Sequence, residues 1–443
     1  MRIESIRAVP TLSAFFFDDQ RAIVQGAERD GFGYRGDPVT PGFDAIREPG
    51  EALTVEIDLS DGTTATGDCA AVQYSGAGGR DPRFVPDDYR SVIEGQIAAE
   101  FAGRDPYRFG RNSAILRGIA DPITGTDRLH TAVRYGVSQA LLSAAATARR
   151  TTMTDVLAEE FDTDPANEPV PVFGQSGDAR RVNARKMLKK RVPVLPHGLF
   201  NSLEKVGREG EKLVEYVRWL AESADEIGTE AGDTDSTDSA DSYDPRFHVD
   251  VYGTLGELFG PPYDRPEVVD YFRDLQQAAG DYDLSVEGPI DAGGRAEQIH
   301  AMSELRDGLG DAGIGVDLVA DEWCNTLSDV RAFVDAGAAD FVQVKTPDLG
   351  GIGRSAEAVL ACRGTDTRAY LGGTCNETDT SARACAHVAL ATDAGQLLAK
   401  PGMGFDEGFM IVTNEMRRTL ARRRHARGDS RSTETDPEAT ADD

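Results

Sequence analysis

The decapeptide Val342-Gln343-Val344-Lys345-Thr346-Pro347-Asp348-Leu349-Gly350-Gly351 predicts the end of a buried strand and the loop that follows it. Its two valines alternate with Gln343 and Lys345, as side chains do on the two faces of a strand. Pro347 lacks the N–H that a strand needs, and the glycine pair permits a turn. A lysine is therefore expected at the C-terminal end of an apolar strand, where barrel enzymes carry their reacting groups. Only seven residues of the chain are lysines, so a surface lysine that merely extends to water is the weaker alternative.

From about residue 169 onward, short apolar strands alternate with helix-compatible stretches. The eight predicted strands are Val170–Phe173, Val192–Leu195, Phe247–Tyr252, Leu284–Glu287, Gly315–Asp321, Phe341–Lys345, Ala369–Leu371 and Gln396–Leu398. The helical stretches between them include Ser202–Ala224, Pro266–Gly280, Ala296–Ala312, Ser355–Arg363 and Ser381–Thr392. This alternation is typical of an α/β protein whose strands close into a (β/α)8-type, TIM-like barrel.

The first 160 residues have an α+β pattern instead. Ala52–Leu59 and Thr63–Val72 flank an Asp-Gly pair, which is a strong hairpin signal. Helical stretches follow at Ser91–Ala102 and Arg134–Arg149. A sheet followed by helices indicates a separate domain that caps the barrel. The predicted division is a capping domain at residues 1–160, the barrel at 161–423 and an acidic tail at 424–443.

Two segments are too acidic and too poor in apolar residues to fold. Ala224–Tyr243 consists mainly of Asp, Glu, Ser, Thr and Gly, and such a segment cannot bury enough surface to offset its ordering entropy. We interpret it as a surface insertion in the barrel, at about residues 224–243. The tail at 424–443 has the same character and is predicted to be disordered.

The charge of the chain excludes several partners. A formal net charge of −29 argues against nucleic acid, because phosphate contacts need clustered basic residues. Excess acid with scarce lysine favours adaptation to concentrated salt, with acidic drift in a GC-rich genome as the alternative. The five cysteines form no CxxC pair, which indicates a reducing compartment. With no signal-peptide core and no membrane-length apolar run, we expect a cytoplasmic protein without a membrane partner.

Three successive predicted strands end in a carboxylate, namely Asp250, Glu287 and Asp321. Carboxylates gathered at the mouth of a barrel repel one another unless a cation neutralises them. Oxygen ligands alone select a hard metal, of which Mg²⁺ is the most plausible. Each acid taken singly is better explained as a helix N-cap or a solvated loop residue. Three at consecutive strand ends favour a metal site.

Other strand ends carry groups suited to proton transfer or substrate contact. His197 is a candidate acid or base, with a structural histidine as an equal alternative. Thr374 and Cys375 follow the seventh strand, and Cys375 lacks a nucleophile signature, so substrate contact is favoured over covalent catalysis. A lysine beside a divalent metal can remove the weakly acidic proton next to a carboxylate, because the metal stabilises the resulting enediolate. The predicted chemistry is therefore proton abstraction α to a carboxylate, by Lys345 on one face and His197 on the other.

These residues lie in motifs that resemble those of the methylaspartate ammonia-lyases, a branch of the enolase superfamily. The motifs are Gln73-Tyr74-Ser75-Gly76-Ala77-Gly78-Gly79-Arg80-Asp81-Pro82, Gln175-Ser176-Gly177-Asp178, Leu195-Pro196-His197, Asp250-Val251-Tyr252-Gly253, Glu287-Gly288-Pro289, Asp321-Glu322-Trp323, the opening Lys345 motif, Gly373-Thr374-Cys375-Asn376-Glu377-Thr378 and Lys400-Pro401-Gly402-Met403-Gly404. The resemblance covers roughly residues 1–420. With the acidic composition, the insertion and the tail, it suggests a haloarchaeal member.

The resemblance implies a carbon–nitrogen lyase that reversibly eliminates ammonia from (2S,3S)-3-methylaspartate to give mesaconate. Lys345 would abstract the C3 proton, and His197 would be the base for the (2S,3R) isomer. The implied Mg²⁺ ligands are Asp250, Glu287 and Asp321. The implied substrate-binding residues are Gln73, Gln175, His197, Gln343, Thr374, Cys375 and Leu398. A homodimer and activation by K⁺ are also implied.

Three competing functions are weaker. A racemase or cycloisomerase of the same superfamily places a Lys-x-Lys pair at the end of the second strand, where this chain has His197. A catalytically inactive barrel that acts as a scaffold would have lost polar strand-end residues, and none is missing here. An exported amino-acid-binding protein would need an export signal.

Overall fold

Eight short parallel strands form a closed barrel in a computed structural model that describes residues 1–76, 79–231 and 243–428. The strands of the whole chain are β1 (Ile3–Asp18), β2 (Glu28–Asp30), β3 (Gly33–Arg35), β4 (Arg47–Leu59), β5 (Thr64–Cys69), β6 (Val172–Gly177), β7 (Val194–Gly198), β8 (Arg246–Asp250), β9 (Leu284–Glu287), β10 (Val316–Ala320), β11 (Phe341–Val344), β12 (Arg368–Leu371) and β13 (Gln396–Leu398). Strands β6 to β13 neighbour one another in chain order around the barrel, and β13 pairs with β6. The predicted α/β barrel is confirmed.

Helices occur in both domains: those up to Phe161 precede the barrel, and those from Arg180 onward separate the barrel strands or follow the last one. They are α1 (Gln20–Val24), α2 (Pro86–Val92), a π-helical turn (Ile93–Ile97), α3 (Ala98–Phe101), α4 (Phe109–Arg117), α5 (Thr131–Arg149), α6 (Met153–Phe161), α7 (Arg180–Lys189), α8 (Leu203–Val206), α9 (Glu211–Ala231), α10 (Thr254–Phe259), α11 (Pro266–Ala279), α12 (Arg295–Asp311), α13 (Leu327–Asp335), α14 (Ile352–Ala361), α15 (Asp379–Thr392) and α16 (Phe405–Ala426). None of the helices in the described ranges is long and apolar enough to cross a membrane.

The barrel strands lie close to their predicted positions. Leu284–Glu287 and Gln396–Leu398 have the predicted bounds, whereas β6 and β7 extend further than predicted, to Gly177 and Gly198. Every residue of β6 and β7 is buried. Strands buried on both sides are normally continuous apolar runs, so the polar residues that end these two strands hid their true length. Those polar ends contribute to the site.

The capping domain is built on an antiparallel sheet of β1, β4 and β5, in the order β1-β4-β5. The predicted hairpin joins β4 to β5, with Leu53 opposite Cys69 and Asp58 opposite Thr64. Helix α5 packs against this hairpin so closely that a Cβ on Gly136 would clash with the backbone of Cys69. This contact holds the helix across the sheet.

Two predicted boundaries are wrong. The acidic insertion was expected to be unfolded from Ala224, but α9 continues to Ala231, because Ala224 is buried and Ile227 packs against the core. The tail was expected to be disordered from residue 424, but α16 continues to Ala426. The remainder of both segments, residues 232–242 and 429–443, lies outside the described residues.

Candidate active site

A cavity of about 110 Å³ opens at the C-terminal end of the barrel strands, beneath the capping domain. Its size suits a small molecule rather than a polymer. Ten of the eleven predicted site residues line it, namely Gln73, Gln175, His197, Asp250, Asp321, Gln343, Lys345, Thr374, Cys375 and Leu398. The eleventh, Glu287, is fully buried below the cavity. The structure thus gathers the whole predicted set around one space.

The order of strands sets which groups face one another. His197 lies on β7 and Lys345 directly follows β11, so each is four strands from the other in either direction around the eight-stranded barrel. The three carboxylates come from β8, β9 and β10, on one of the two arcs between them. The polar and apolar lining residues of β6, β12 and β13 occupy the other arc. A ligand in the cavity therefore has His197 and Lys345 on opposite sides.

The three carboxylates fit a divalent cation. Asp250 and Glu287 end β8 and β9, and Asp321 follows β10. Burial raises the pKa of Glu287 well above its usual value, and the charges of Asp250 and Asp321 raise it further. Three buried carboxylates without a neutralising charge of equal size form an unfavourable arrangement. An oxygen donor set of this kind suits Mg²⁺.

Lys345 has Asp321 as its ion-pair partner. Its Nζ lies 2.6 Å from Asp321 Oδ1 and donates a hydrogen bond to the main-chain oxygen of Asp321 at 3.2 Å. Asp321 Oδ1 nevertheless accepts no well-directed hydrogen bond, so the contact is electrostatic and the oxygen keeps a lone pair for a cation. Burial lowers the pKa of Lys345, but Asp321 and Glu322 outweigh burial and raise it above its usual value.

His197 bridges two of the carboxylates. Its Nε2 lies 3.1 Å from Asp250 Oδ2 and 3.9 Å from Glu287 Oε2. In the described ranges, the side chains close enough together to hold one metal ion are therefore these three, and the predicted set with Asp321 is more widely spaced. Asp321 lies outside this group and pairs with Lys345 instead. His197 Nδ1 is buried without a hydrogen-bond partner. The imidazole is therefore fixed through one nitrogen only.

A second histidine, missed by the sequence analysis, supports Glu287 from below. His248 Nε2 lies 2.9 Å from Glu287 Oε2, although the contact is not directed well enough for a hydrogen bond. The ring stacks on Phe173, with centroids 4.1 Å apart, and its Nδ1 faces Gln396 Nε2 at 2.8 Å. Burial lowers the pKa of His248 well below its usual value, as does the charge of His197. The residue shares a strand face with Asp250, and that spacing was the available signal.

Amide side chains complete the floor of the cavity. Gln343 Nε2 donates to Glu287 Oε1 at 2.5 Å, while its Oε1 has no hydrogen-bond partner. Gln175 Nε2 donates to the main-chain oxygen of Ala399 at 3.1 Å. Both side chains are thereby held in place with one polar atom left for a ligand. Thr374 Oγ1 accepts the N–H of Asn376 at 3.2 Å, which fixes the loop after β12.

The capping domain supplies the polar side chains of Gln73, Tyr74 and Arg80 to the cavity. Gln73 Oε1 accepts a hydrogen bond from Cys375 Sγ at 3.1 Å, and Gln73 Nε2 donates to Asp18 at 2.5 Å. Arg80 donates through Nε to Asp348 Oδ2 at 2.8 Å, in the loop that follows Lys345. Arg80 belongs to one of the sequence motifs but was not predicted as a site residue, because its contact partner lies 268 positions away in the chain.

A buried polar network, also missed, lies behind the loops that carry the site. Lys400 and Glu377 are fully buried, with Nζ 3.3 Å from Oε1. Lys400 Nζ also donates to Thr346 Oγ1 at 3.2 Å and to the main-chain oxygen of Gly372. Tyr135 of the capping helix α5 donates to Glu377 Oε2 at 3.1 Å. The network joins the residue after Lys345 to the loop that carries Thr374 and to the capping domain.

The arrangement can remove a proton from carbon next to a carboxylate. The carboxylate arc provides a cation site for the substrate's own carboxylate, and two groups able to carry a proton stand on opposite sides. Cys375 is poorly suited to act as a nucleophile, because burial raises the pKa of its thiol to about 12 and its Sγ donates to the amide oxygen of Gln73.

Comparisons with known proteins show which family the chain resembles over both domains. Residues 1–162 match the family model for the methylaspartate ammonia-lyase N-terminus, and residues 164–425 match the model for the C-terminus. Methylaspartate ammonia-lyase of Haloarcula marismortui is 68% identical over 423 residues, 96% of this chain and 98% of the relative. The β-methylaspartase of Clostridium tetanomorphum, solved as a magnesium complex, is 46% identical with a TM-score of 0.87 over 95% of this chain and 98% of that one. The Citrobacter amalonaticus enzyme, solved with (2S,3S)-3-methylaspartic acid, is 46% identical with a TM-score of 0.89 over 96% and 100%.

Proposed function

Because the chain belongs to the methylaspartate ammonia-lyase family, we propose that it reversibly eliminates ammonia from (2S,3S)-3-methylaspartate to give mesaconate, with Lys345 as the base at C3. One observation carries this proposal. Lys345 and His197 stand on opposed strands of one cavity, with three carboxylates on the arc between them. That placement suits a substrate whose carboxylate is held at the arc while a neighbouring C–H faces one of the two bases.

Lys345 removes the C3 proton of the (2S,3S) isomer, and the electron pair moves toward the adjacent carboxylate. Ammonia then leaves from C2, on the side of the substrate away from Lys345, and the C2–C3 double bond of mesaconate forms. His197 faces the opposite side, where it takes the C3 proton of the (2S,3R) isomer. In the reverse direction the same groups return the proton. Each base thus acts on one configuration at C3.

The three carboxylates Asp250, Glu287 and Asp321 would hold Mg²⁺. The donor set fits, because Asp321 Oδ1 and Glu287 Oε2 are buried oxygens that accept no directed hydrogen bond. When bound, the metal would supply positive charge at the substrate carboxylate and offset the Asp321 charge that raises the pKa of Lys345. Burial, which lowers the pKa of Lys345, then favours the neutral amine that a base requires.

The remaining lining residues bind the substrate in this proposal. Gln343 and Gln175 present free amide atoms on the floor, while Thr374 and Cys375 offer a hydroxyl and a thiol from the loop after β12. Gln73 from the capping domain and Leu398 from the last strand shape the wall around the methyl group and the amine. The family resemblance supports these roles.

Several expectations accompany this function as proposals. The capping domain at residues 1–160 and the barrel at 161–423 act as one catalytic unit. The enzyme works as a homodimer in the cytoplasm, with K⁺ as a monovalent activator in addition to Mg²⁺. The 68% identity to a relative from Haloarcula marismortui supports a salt-adapted member of the family.

The substrate assignment is tested by direct turnover. Purified enzyme with Mg²⁺ in molar KCl should increase ultraviolet absorbance as mesaconate forms from (2S,3S)-3-methylaspartate. Replacement of K⁺ by Na⁺ at equal ionic strength should lower the rate, because K⁺ is the proposed activator. No absorbance change with this substrate, together with turnover of a different 2-amino acid, would refute the assignment.

The base assignment is tested by a pair of variants. Lys345→Ala should abolish reaction of the (2S,3S) isomer while His197→Ala should mainly remove reaction of the (2S,3R) isomer, because the two residues face opposite sides of the cavity. The two diastereomers are measured separately under the same conditions. The reverse pattern would overturn the assignment of the bases.

A further inference from the structure

A basic cavity lies on this acidic protein, on the far side of the loop that follows Lys345. It has a volume of about 560 Å³ and lies between the start of α5, helix α13 and the β11–α14 loop. Four arginines line it, namely Arg128, Arg134, Arg331 and Arg354. Three hydroxyl residues, Thr131, Thr326 and Ser328, also line it. Asp335 and Asp348 are the two acids at its wall. We call it the arginine cavity.

Arg134 has no anionic partner among the described residues. Its guanidinium is packed against Gly350, so closely that a Cβ there would clash with it. Its Nε is buried and has no hydrogen-bond partner. Burial, together with the charges of Arg128 and Arg354, lowers the pKa of Arg134 to about 10. A guanidinium held in a fixed place without a counterion costs stability.

The two acids of the cavity do not neutralise this charge. Asp348 is engaged by Arg80, with Nε 2.8 Å from Oδ2. Asp335 is exposed at the end of α13 and makes no ion pair within the described ranges. Arg331, on the same helix, is likewise exposed and without a carboxylate partner in the part of the chain that the structure describes. Arg128 pairs with Asp81 at 2.8 Å and Arg354 pairs with Glu357 at 2.5 Å. Within the described ranges, the guanidinium groups of the cavity without a carboxylate partner are therefore those of Arg134 and Arg331.

We propose that the arginine cavity binds a small oxyanion of the phosphate class. The planar guanidinium presents paired N–H donors that match an oxyanion, and the hydroxyls of Thr131 and Ser328 add neutral donors. The site is separate from the catalytic cavity, because the two cavities have no lining residue in common. A bound oxyanion joins α5 of that domain to α13 and to the loop that follows Lys345, and so stabilises their contact.

Inorganic phosphate is the probe, and the thermal unfolding midpoint of the full-length enzyme at one fixed KCl concentration is the measurement. Phosphate at tens of millimolar should raise the Tm of the wild type by about 2 °C. Arg134→Gln should lose this response. Without phosphate, Arg134→Gln should unfold at the same temperature as the wild type or higher, because the substitution removes an unpaired partly buried charge.

Two further variants keep the test decisive. Arg331→Gln changes an exposed side chain and should reduce the phosphate response without impairing folding. Arg363→Gln, an exposed arginine after the end of α14, is the matched control and should respond as the wild type does. Equal responses in wild type and Arg134→Gln would show a general salt effect and overturn the proposal. The proposal would also be overturned if Arg134→Gln broke the oligomer into smaller species. That result would show that Arg134 pairs with a carboxylate of a second copy of the chain rather than with a free oxyanion.

Discussion

Replacement of Lys400 by methionine should destabilise the protein through the partner that it leaves behind. Lys400 and Glu377 are both fully buried, with Nζ 3.3 Å from Oε1. Loss of one member of a buried ion pair typically costs about 3–5 kcal/mol, because the other charge stays buried. Glu377 would keep the hydroxyl donors of Tyr135 and Thr346. We therefore expect the lower end of that range, about 3 kcal/mol.

The assay is thermal unfolding followed by circular dichroism at constant KCl. A loss of about 3 kcal/mol lowers the Tm by about 3 °C if the whole chain unfolds together, because the unfolding entropy is about 2.1 cal/mol/K per residue. The double variant Lys400→Met/Glu377→Leu should be more stable than Lys400→Met by roughly 1 kcal/mol or more, because removal of both charges leaves no buried ion. The same variants should lower kcat/KM, since Lys400 also holds Thr346, the residue after the catalytic lysine.

The exposed pair of Lys186 and Asp406 provides the matched control. Lys186→Met removes the same side chain from a solvent-screened pair and should change stability by no more than about 1 kcal/mol. The reasoning would be refuted if Lys400→Met unfolded at the wild-type temperature. It would also be refuted if the double variant were less stable than Lys400→Met, since the buried charge would then not be the source of the cost.

Three further outcomes are expected. Glu287→Gln should raise the Tm of metal-stripped protein, because burial and neighbouring carboxylates disfavour its charge, and should reduce the stabilisation on adding Mg²⁺ that the wild type shows in the same thermal assay. Gly373→Ala should lower kcat/KM by about tenfold or more, because the φ of Gly373 is +130° and a Cβ there would clash with the buried pair of Lys400 and Glu377. Gly364→Ala is the control: its φ is +79°, a Cβ there meets open space, and turnover should not change. Burial raises the pKa of Asp81, but Arg128 and other hydrogen-bond donors outweigh burial and lower it to about 2. The ionised carboxylate therefore stabilises the fold fully above about pH 4, and this stabilisation is lost as the pH falls toward 2. Asp81→Asn should accordingly make the Tm depend less on pH between these two values.

The barrel could be predicted because each of its strands is a short apolar run between turn residues. Leu284–Glu287 and Gln396–Leu398 were found with their predicted bounds. The site followed from the same pattern, since the C-terminal ends of parallel strands meet at one mouth whatever the rest of the chain does. The opposed placement of His197 and Lys345 needed only the chain order of eight strands.

Contacts between distant parts of the chain could not be predicted. Arg80 and Tyr135 reach their barrel partners across more than 200 positions, and no local pattern encodes such a distance. The grouping of His197 with Asp250 and Glu287 depends on side-chain positions rather than on spacing. Helix α9 continued past Ala224 because two apolar side chains at helical spacing anchor it, against an acidic average composition.

Three side chains of the capping domain, Gln73, Arg80 and Tyr135, end on the loops after β11 and β12. Each loop thus depends on partners encoded near the start of the gene. An exchange of capping domains between relatives would preserve activity only if the new domain brought all three side chains, or if the two loops were exchanged with it. The capping domain and those two loops must therefore be inherited together, while the strand ends of the barrel keep the other site residues and only the remainder of the barrel is free to diverge.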